Sequence, residues 1–191
     1  MKLKSSLYLL ITVAVATQVC VAGSIKGKIS PGKSVVYLES GSGAAAPPSD
    51  KVVTMDQRGL LFQPHVLVIQ QGTTVEFLNS DKVSHNVFWS AISGDKKKSH
   101  NMGTWPTGQR KPFRFDEPGV VPLLCNVHPE MSGYIIVSPT PYFAQTEADG
   151  EFSLANVPDG QYTITAWHEG KKTQSKKIAV NGNTSVDLTL Q

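Results

Sequence analysis

Charged residues are scarce in this chain. They make up 17% of its 191 residues, whereas soluble domains typically carry about 25%. The 18 basic and 15 acidic side chains leave a formal charge of +3, far from the basic footprint that nucleic acid requires. The low charged fraction argues against a coiled coil or a strongly charged tail, and the small net charge leads us to expect no nucleic-acid partner.

Beyond the N-terminus the sequence lacks any hydrophobic run of membrane-spanning length. Residues 1–22 have the three parts of a secretory signal: a basic start (Lys2, Lys4), the apolar run Leu7–Val15, and Ala22 as a cleavage point before Gly23. An uncleaved membrane anchor is the alternative, although the run is shorter than the ~20 residues of a span. We therefore predict an exported chain whose mature form has no membrane span.

Cysteine is nearly absent as well. The chain has two, and cleavage after Ala22 removes Cys20 and leaves Cys125 without a partner. A lone thiol cannot form an internal disulfide, and an oxidising compartment threatens it. Cys125 is therefore either buried and inert or has a chemical role.

Helical patterns are missing, and short β-rich runs separated by turn signals such as Gln71-Gly72 and Asp159-Gly160 take their place. Such spacing predicts an all-β sandwich or barrel. The stretch Gly41–Ser49 has the composition of a linker, and Ser90–Lys111 is polar and predicted to be irregular. The predicted strands are Val35–Leu38, Val66–Ile69, Thr73–Leu78, Val120–Leu124, Tyr134–Val137, Tyr162–Trp167 and Ser185–Leu190.

The residues that carry chemistry lie between two of these strands. A seven-residue loop holds Cys125, His128 and Met131, each three residues from the next. Cys125 continues the alternating row of Val121 and Leu123, so its side chain should face inward. His85, followed by its own apolar run, is the fourth candidate, because loops distant in sequence meet at the end of a sandwich.

One cysteine, two histidines and a methionine suit copper. Thiolate and thioether favour Cu(I), imidazole suits both oxidation states, and such a set supports electron transfer. Zinc is the competitor, but methionine contributes little to a zinc site. Four protein ligands leave no evident position for a substrate, and neither paired carboxylates nor a phosphate-binding glycine loop is present. We therefore expect an electron carrier and not an enzyme.

The motif C-N-V-H-P-E-M and the upstream dipeptide His85-Asn86 resemble the ligand motifs of the cupredoxins, the blue copper proteins of the plastocyanin type. The resemblance covers about residues 50–138 and implies a Greek-key β-sandwich with one type 1 copper. It further implies that Asn86 ties the two ligand loops together by hydrogen bonds. The implied copper ligands are His85, Cys125 and His128 in the equatorial plane and Met131 in the axial position.

The last third of the chain resembles a different β-sandwich, the carboxypeptidase regulatory-like or transthyretin-like domain. The motifs are D-G-E-F at Asp149–Phe152, V-P-D-G-Q-Y at Val157–Tyr162 and the closing V-D-L-T-L. Residues 24–39 resemble the two strands with which such domains usually open. We therefore expect a discontinuous domain of residues 23–48 and 139–191, with a cupredoxin domain of residues 49–138 inserted in it. The alternative assigns residues 24–39 to the cupredoxin.

Together these features predict an exported, periplasmic type 1 copper protein that carries single electrons between transient redox partners and is a monomer. The alternative is a copper-sequestering or sensory module without electron transfer. Electrons are expected to pass through His128, within an uncharged rim of Pro129, Met131 and Pro64. The other histidines, His65, His100 and His168, are expected to be structural or solvated, and Trp89 and Trp105 to be packing residues.

Overall fold

The computed structural model describes residues 22–41 and 46–191. Within these ranges the chain has one 3-10 turn, Lys96–Lys98, and no α-helix, which confirms the predicted all-β class. Of the predicted signal, residues 1–22, residues 1–21 with Cys20 lie outside the described residues, and Ala22 begins the first strand. The strands are β1 (Ala22–Ser30), β2 (Val35–Ser40), β3 (Val52–Gln57), β4 (Phe62–Gln63), β5 (Val66–Gln70), β6 (Thr74–Asn79), β7 (His85–Trp89), β8 (His100–Trp105), β9 (Arg110–Arg114), β10 (Gly119–Leu124), β11 (Ser132–Ser138), β12 (Phe143–Gln145), β13 (Glu151–Pro158), β14 (Gly160–Trp167), β15 (Gln174–Val180), β16 (Asn183–Ser185) and β17 (Leu188–Thr189).

Two of the four sheets form the first sandwich. Their strand orders are β4-β3-β6-β9 and β5-β11-β10-β7-β8. Inward-facing side chains alternate along each strand and bury one apolar cluster between the sheets. The cluster consists of Met55, Phe62, Ile69, Val75, Phe77, Val87, Trp89, Ile92, Trp105, Phe115, Val121, Leu123, Cys125, Met131, Ile135 and Val137.

The other two sheets form the second sandwich. The order is β13-β1-β16, with β17 also on β1, in one sheet and β12-β2-β14-β15 in the other. Thus β1 and β2 pair with strands that follow residue 142, and among the described pairings neither joins the sheet that contains β7.

A further apolar cluster joins the two sandwiches. Its buried members come from both: Ile136 from β11, and Val35, Tyr37 and Trp167 from β2 and β14. At its margin Trp167 contacts Tyr134, with 5.0 Å between the ring centroids. We call this set, with the half-buried Val66, Val68, Val120, Tyr134 and Phe143, the junction cluster.

The structure corrects two expectations about strands. The segment Ser90–Lys111, predicted to be irregular, contains β8 and the start of β9, because its polar side chains face solvent while Trp105 packs into the core. The strand predicted at Ser185–Leu190 is interrupted between β16 and β17. Between these two strands Asp187 Oδ1 accepts a hydrogen bond from Lys28 N of β1 at 2.8 Å. A side-chain oxygen thus takes the place that a backbone carbonyl would have in a continuous strand.

Candidate metal centre

The candidate ligands lie where two buried rows end. Because successive side chains of a strand point to opposite faces, the rows consist of every second residue. On β7 the row begins with His85, and on β10 it continues past the last strand residue to Cys125. Both residues are buried, with exposed fractions of 0% and 2%. The rows are His85, Val87 and Trp89 on one strand and Val121, Leu123 and Cys125 on the other.

Three of the four predicted residues converge on one point. The ligand atoms of His85, Cys125 and His128 all lie within 4.8 Å of one another. The Nδ1 atoms of the two histidines are 3.0 Å apart, and Cys125 Sγ is 4.0 Å from His85 Nδ1. Donor atoms bound at ~2.0–2.3 Å to one ion have roughly such separations.

Met131 completes the set from the far end of the ligand loop. The loop, residues 125–131, has the predicted length between β10 and β11. Met131 N donates to His128 O at 3.0 Å, and the Met131 side chain is fully buried among the core residues around Cys125. Since it is buried, Met131 does not belong to the uncharged surface rim in which it was expected.

Asp81 fixes the orientation of His85. The Nε2 atom of His85 lies 2.8 Å from Asp81 Oδ2. A carboxylate accepts, so His85 donates from Nε2 and keeps a lone pair on Nδ1, the atom that faces Cys125 and His128. A carboxylate behind a ligating imidazole sets its tautomer and strengthens it as a ligand.

Asp81 itself is held as an anion. Its two oxygens accept hydrogen bonds from Gly59 N at 2.7 Å and Leu60 N at 2.9 Å. Desolvation acts to raise the pKa of Asp81, but the bonds from Leu60, Gly59 and His85 together outweigh it and lower the pKa below its usual value. Asp81 therefore supplies a negative charge next to His85 at neutral pH.

Asn86 connects the two segments that carry the candidate ligands. Its backbone N–H donates to Cys125 Sγ at 3.4 Å. Its side-chain Oδ1 accepts from Asn126 N at 3.2 Å. These are the contacts expected of a residue that joins the loop after β10 to the start of β7.

A bulge in β8 holds the Asn86 side chain in this position. The register between β7 and β8 shifts by one residue between Asn86 and Phe88, and Gly103 on the bulge has a φ of 78°. Asn86 Nδ2 donates to Gly103 O at 2.8 Å and to Asn101 Oδ1 at 2.9 Å. Bulges commonly redirect groups beside functional sites.

The remaining histidines lie outside the cluster. His65 Nε2 lies 2.7 Å from Glu169 Oε2 at the surface. His100 is exposed and stacks on Trp89, with 5.1 Å between centroids. His168 borders a cavity between the two sandwiches, which Trp167 lines from one side and Pro64 from the other. As expected, Trp89 and Trp105 are buried packing residues.

Sequence reasoning missed Asp81 and Asn101. Asp81 lies four residues before His85 in S-D-K-V-S-H, where an aspartate is typical of a turn. Asn101 belongs to the segment predicted to be irregular, so its pairing with β7 was not anticipated.

Two family models match successive parts of the chain. Residues 49–138 match the copper binding proteins of the plastocyanin/azurin family, and residues 134–191 match the carboxypeptidase regulatory-like domain. The chain therefore contains a cupredoxin domain, and its C-terminal part belongs to a regulatory-like domain. Both resemblances recognised in the sequence are thereby confirmed.

Solved structures of cupredoxins are similar to this part of the chain. A reduced amicyanin with a tryptophan-to-tyrosine mutation is 24% identical with a TM-score of 0.43, and the match covers 54% of this chain and 98% of amicyanin. An oxidised amicyanin with a proline-to-alanine mutation is 22% identical with a TM-score of 0.43, over 56% and 99%. The copper-containing nitrite reductase from Thermus scotoductus SA-01 is 29% identical with a TM-score of 0.42, over 52% of this chain and 25% of the reductase.

The donor set of the cupredoxin domain fits copper. The family binds copper, and His85, Cys125, His128 and Met131 are positioned like a type 1 copper site. A thiolate, two imidazoles with converging Nδ1 atoms and a buried thioether are ligands that copper favours.

Among residues 22–41 and 46–191, no helix is both long and apolar enough to cross a bilayer.

Proposed function

We propose that the protein is an exported type 1 copper protein that carries single electrons between redox partners. His85, Cys125 and His128 would hold the copper, with Met131 as a fourth and weaker ligand. Copper bound there would supply a one-electron Cu(II)/Cu(I) couple, through which an electron from a donor protein would reach an acceptor protein. The observation that carries the proposal is the convergence of His85 Nδ1, His128 Nδ1 and Cys125 Sγ inside a copper-binding family domain.

The surroundings of these residues support electron transfer. His85 is sealed from solvent, whereas His128 is half-buried and lies at the surface. Its neighbours Asn126, Val127, Pro129 and Glu130 are exposed. An imidazole that binds copper on one side and reaches solvent on the other offers electrons a short exit.

An apolar surface lies at this end of the cupredoxin domain. Among the described residues the exposed large apolar side chains number five, and four of them are on loops at the end where β3 finishes and β7 begins. Leu60 lies close to the candidate metal centre, because its N–H donates to Asp81, which also contacts His85. We call Leu60, Leu61, Val83 and Val127 the docking patch. A small apolar patch suits a partner that must bind briefly and leave.

The proposal includes a periplasmic location, transient protein partners, a monomeric state and no enzymatic activity of the chain itself. It also includes the insertion: residues 23–48 and 139–191 form one regulatory-like sandwich and residues 49–138 the cupredoxin. The pairing of β1 with β13, β16 and β17, and of β2 with β12 and β14, supports this division.

The optical and EPR spectra of the copper-loaded protein test the ligand assignment. We expect an intense blue thiolate-to-copper charge-transfer band in the wild type. Cys125→Ser should abolish the band, because the hydroxyl that replaces the thiol cannot give this transition. Met131→Leu should keep the band and shift the reduction potential, since the axial ligand is weak. A Cys125→Ser protein that stayed blue would refute the assignment.

Electron exchange separates a carrier from a copper-sequestering module. A carrier should exchange electrons rapidly and reversibly with small redox proteins in stopped-flow experiments. A protein that binds copper but is neither reduced nor oxidised by them would support sequestration. A colourless wild type that prefers zinc would reject both copper functions.

A further inference from the structure

Gln57 places a polar side chain inside the cupredoxin core. It is the last residue of β3 and is fully buried. Its Nε2 donates to the backbone carbonyl of Asn86, on the facing sheet, at 3.3 Å. Since a carbonyl only accepts, this contact fixes which end of the amide faces Asn86.

The opposite end of the same amide is unpaired. Gln57 Oε1 is one of two buried side-chain polar atoms without a hydrogen-bond partner among the described residues. An orphaned buried acceptor is unfavourable, and an apolar side chain of the same length would avoid it. The Gln57 amide is therefore not explained by packing of the core. The hydrogen bond of this side chain is to Asn86 O.

Asn86 is held from three sides. The bulge of β8 fixes its amide nitrogen, through Gly103 O and Asn101 Oδ1. The loop after β10 fixes its amide oxygen, through Asn126 N. Gln57 fixes its backbone carbonyl. The group left over is the backbone N–H, which points at Cys125 Sγ.

We propose that Gln57 is a positioning residue that holds the Asn86 N–H in hydrogen-bond reach of the Cys125 sulfur and thereby tunes the reduction potential of the centre. The tuning rests on the proposed copper function, whereas the positioning concerns the metal-free chain as well. A hydrogen bond to a thiolate withdraws charge from the sulfur and favours the reduced metal, Cu(I). Loss of the Gln57 contact should weaken that bond and lower the potential.

The test replaces Gln57 by an apolar side chain of similar length. Gln57→Met removes the orphaned acceptor and also takes one donor away from Asn86 O, so the number of unpaired buried acceptors does not rise and the fold should be retained. We expect the equilibrium constant for reduction to fall about threefold, equivalent to about 30 mV at 59 mV per tenfold. The matched control is Met55→Leu, a volume-conserving change two residues earlier in the same buried row of β3, which should leave the potential unchanged.

A second readout needs no copper. In the metal-free protein, NMR hydrogen exchange at the Asn86 amide should be several-fold faster in Gln57→Met than in the wild type or in Met55→Leu. If Gln57→Met does not fold, Gln57→Asn serves instead, because it keeps the amide but shortens its reach by one methylene.

The outcomes separate this inference from the proposed function. An unchanged potential and unchanged Asn86 exchange in a blue Gln57→Met protein overturn the role of Gln57, as does an equal shift in Met55→Leu. A colourless wild type rejects the copper function, and Asn86 exchange in the metal-free protein then still decides whether Gln57 positions this amide.

Discussion

At the scale of single residues, Asp81 places a negative charge one hydrogen bond behind His85, with 2.8 Å between Oδ2 and Nε2. A nearby anion stabilises Cu(II) more than Cu(I). Asp81→Asn keeps an acceptor for His85 and removes the charge, so the reduction potential should rise, by on the order of a tenfold change in the equilibrium constant, or about 60 mV. Spectroelectrochemistry measures the shift.

The control for this change is Asp95→Asn. Asp95 also accepts a backbone hydrogen bond, from Lys97 N at 3.0 Å, and it lies near the Trp89 end of β7, remote from His85. The two variants change the net charge equally. Equal potentials for Asp81→Asn and the wild type would show that the carboxylate only orients the imidazole.

At the scale of elements, the sequence predicts what local patterns encode. The spacing C-x2-H-x2-M and the alternation of Val121, Leu123 and Cys125 predict the ligand loop and its inward sulfur, and the described loop has the predicted length. The contact of Gln57 with Asn86 joins two sheets across 29 positions of sequence, and no local pattern encodes it. The β8 bulge escapes prediction for the same reason, because it depends on the register between β7 and β8.

The loops that carry the docking patch permit a test of partner binding. Leu61 is 53% exposed and lies in the turn after β3. Leu61→Glu puts a charge into the apolar patch, so electron exchange with a protein partner should slow by on the order of tenfold, which is about 1.4 kcal/mol of encounter affinity, while the blue band is unchanged. Stopped-flow kinetics measures the rate.

Val52→Glu is the matched control for the patch. Val52 is 61% exposed, and as the first residue of β3 it lies at the opposite end of the strand from Gln57 and the patch. The same charge there should leave the exchange rate unaltered. Equal slowing by both variants would indicate general electrostatics and place the docking surface elsewhere.

At the scale of the whole molecule, the junction cluster packs the two sandwiches against each other. Tyr37, on β2 of the second sandwich, is 7% exposed and packs in this cluster with Ile136 of the cupredoxin domain. Burial, together with the nearby Glu39 and against the hydrogen bond from Thr165, raises the pKa of Tyr37 from 10.0 to about 12. An ionised phenolate is thus disfavoured at the contact between the sandwiches.

This raised pKa predicts how stability depends on alkaline pH. Between pH 10 and pH 12 the native state keeps the Tyr37 proton while the unfolded chain loses it, so the stabilisation that is fully present below pH 10 falls as the pH rises. The loss amounts to about 2 to 3 kcal/mol at two pH units. Phenylalanine cannot ionise, so Tyr37→Phe lacks this contribution. Between pH 10 and pH 12 the free energy of unfolding, measured in urea, should therefore decrease less in Tyr37→Phe than in the wild type, and the difference should be about 2 to 3 kcal/mol. Lysines and other tyrosines titrate in both proteins and cancel in the difference. Parallel stability curves for the two proteins would mean that Tyr37 reaches solvent in the native state and that the junction opens without unfolding.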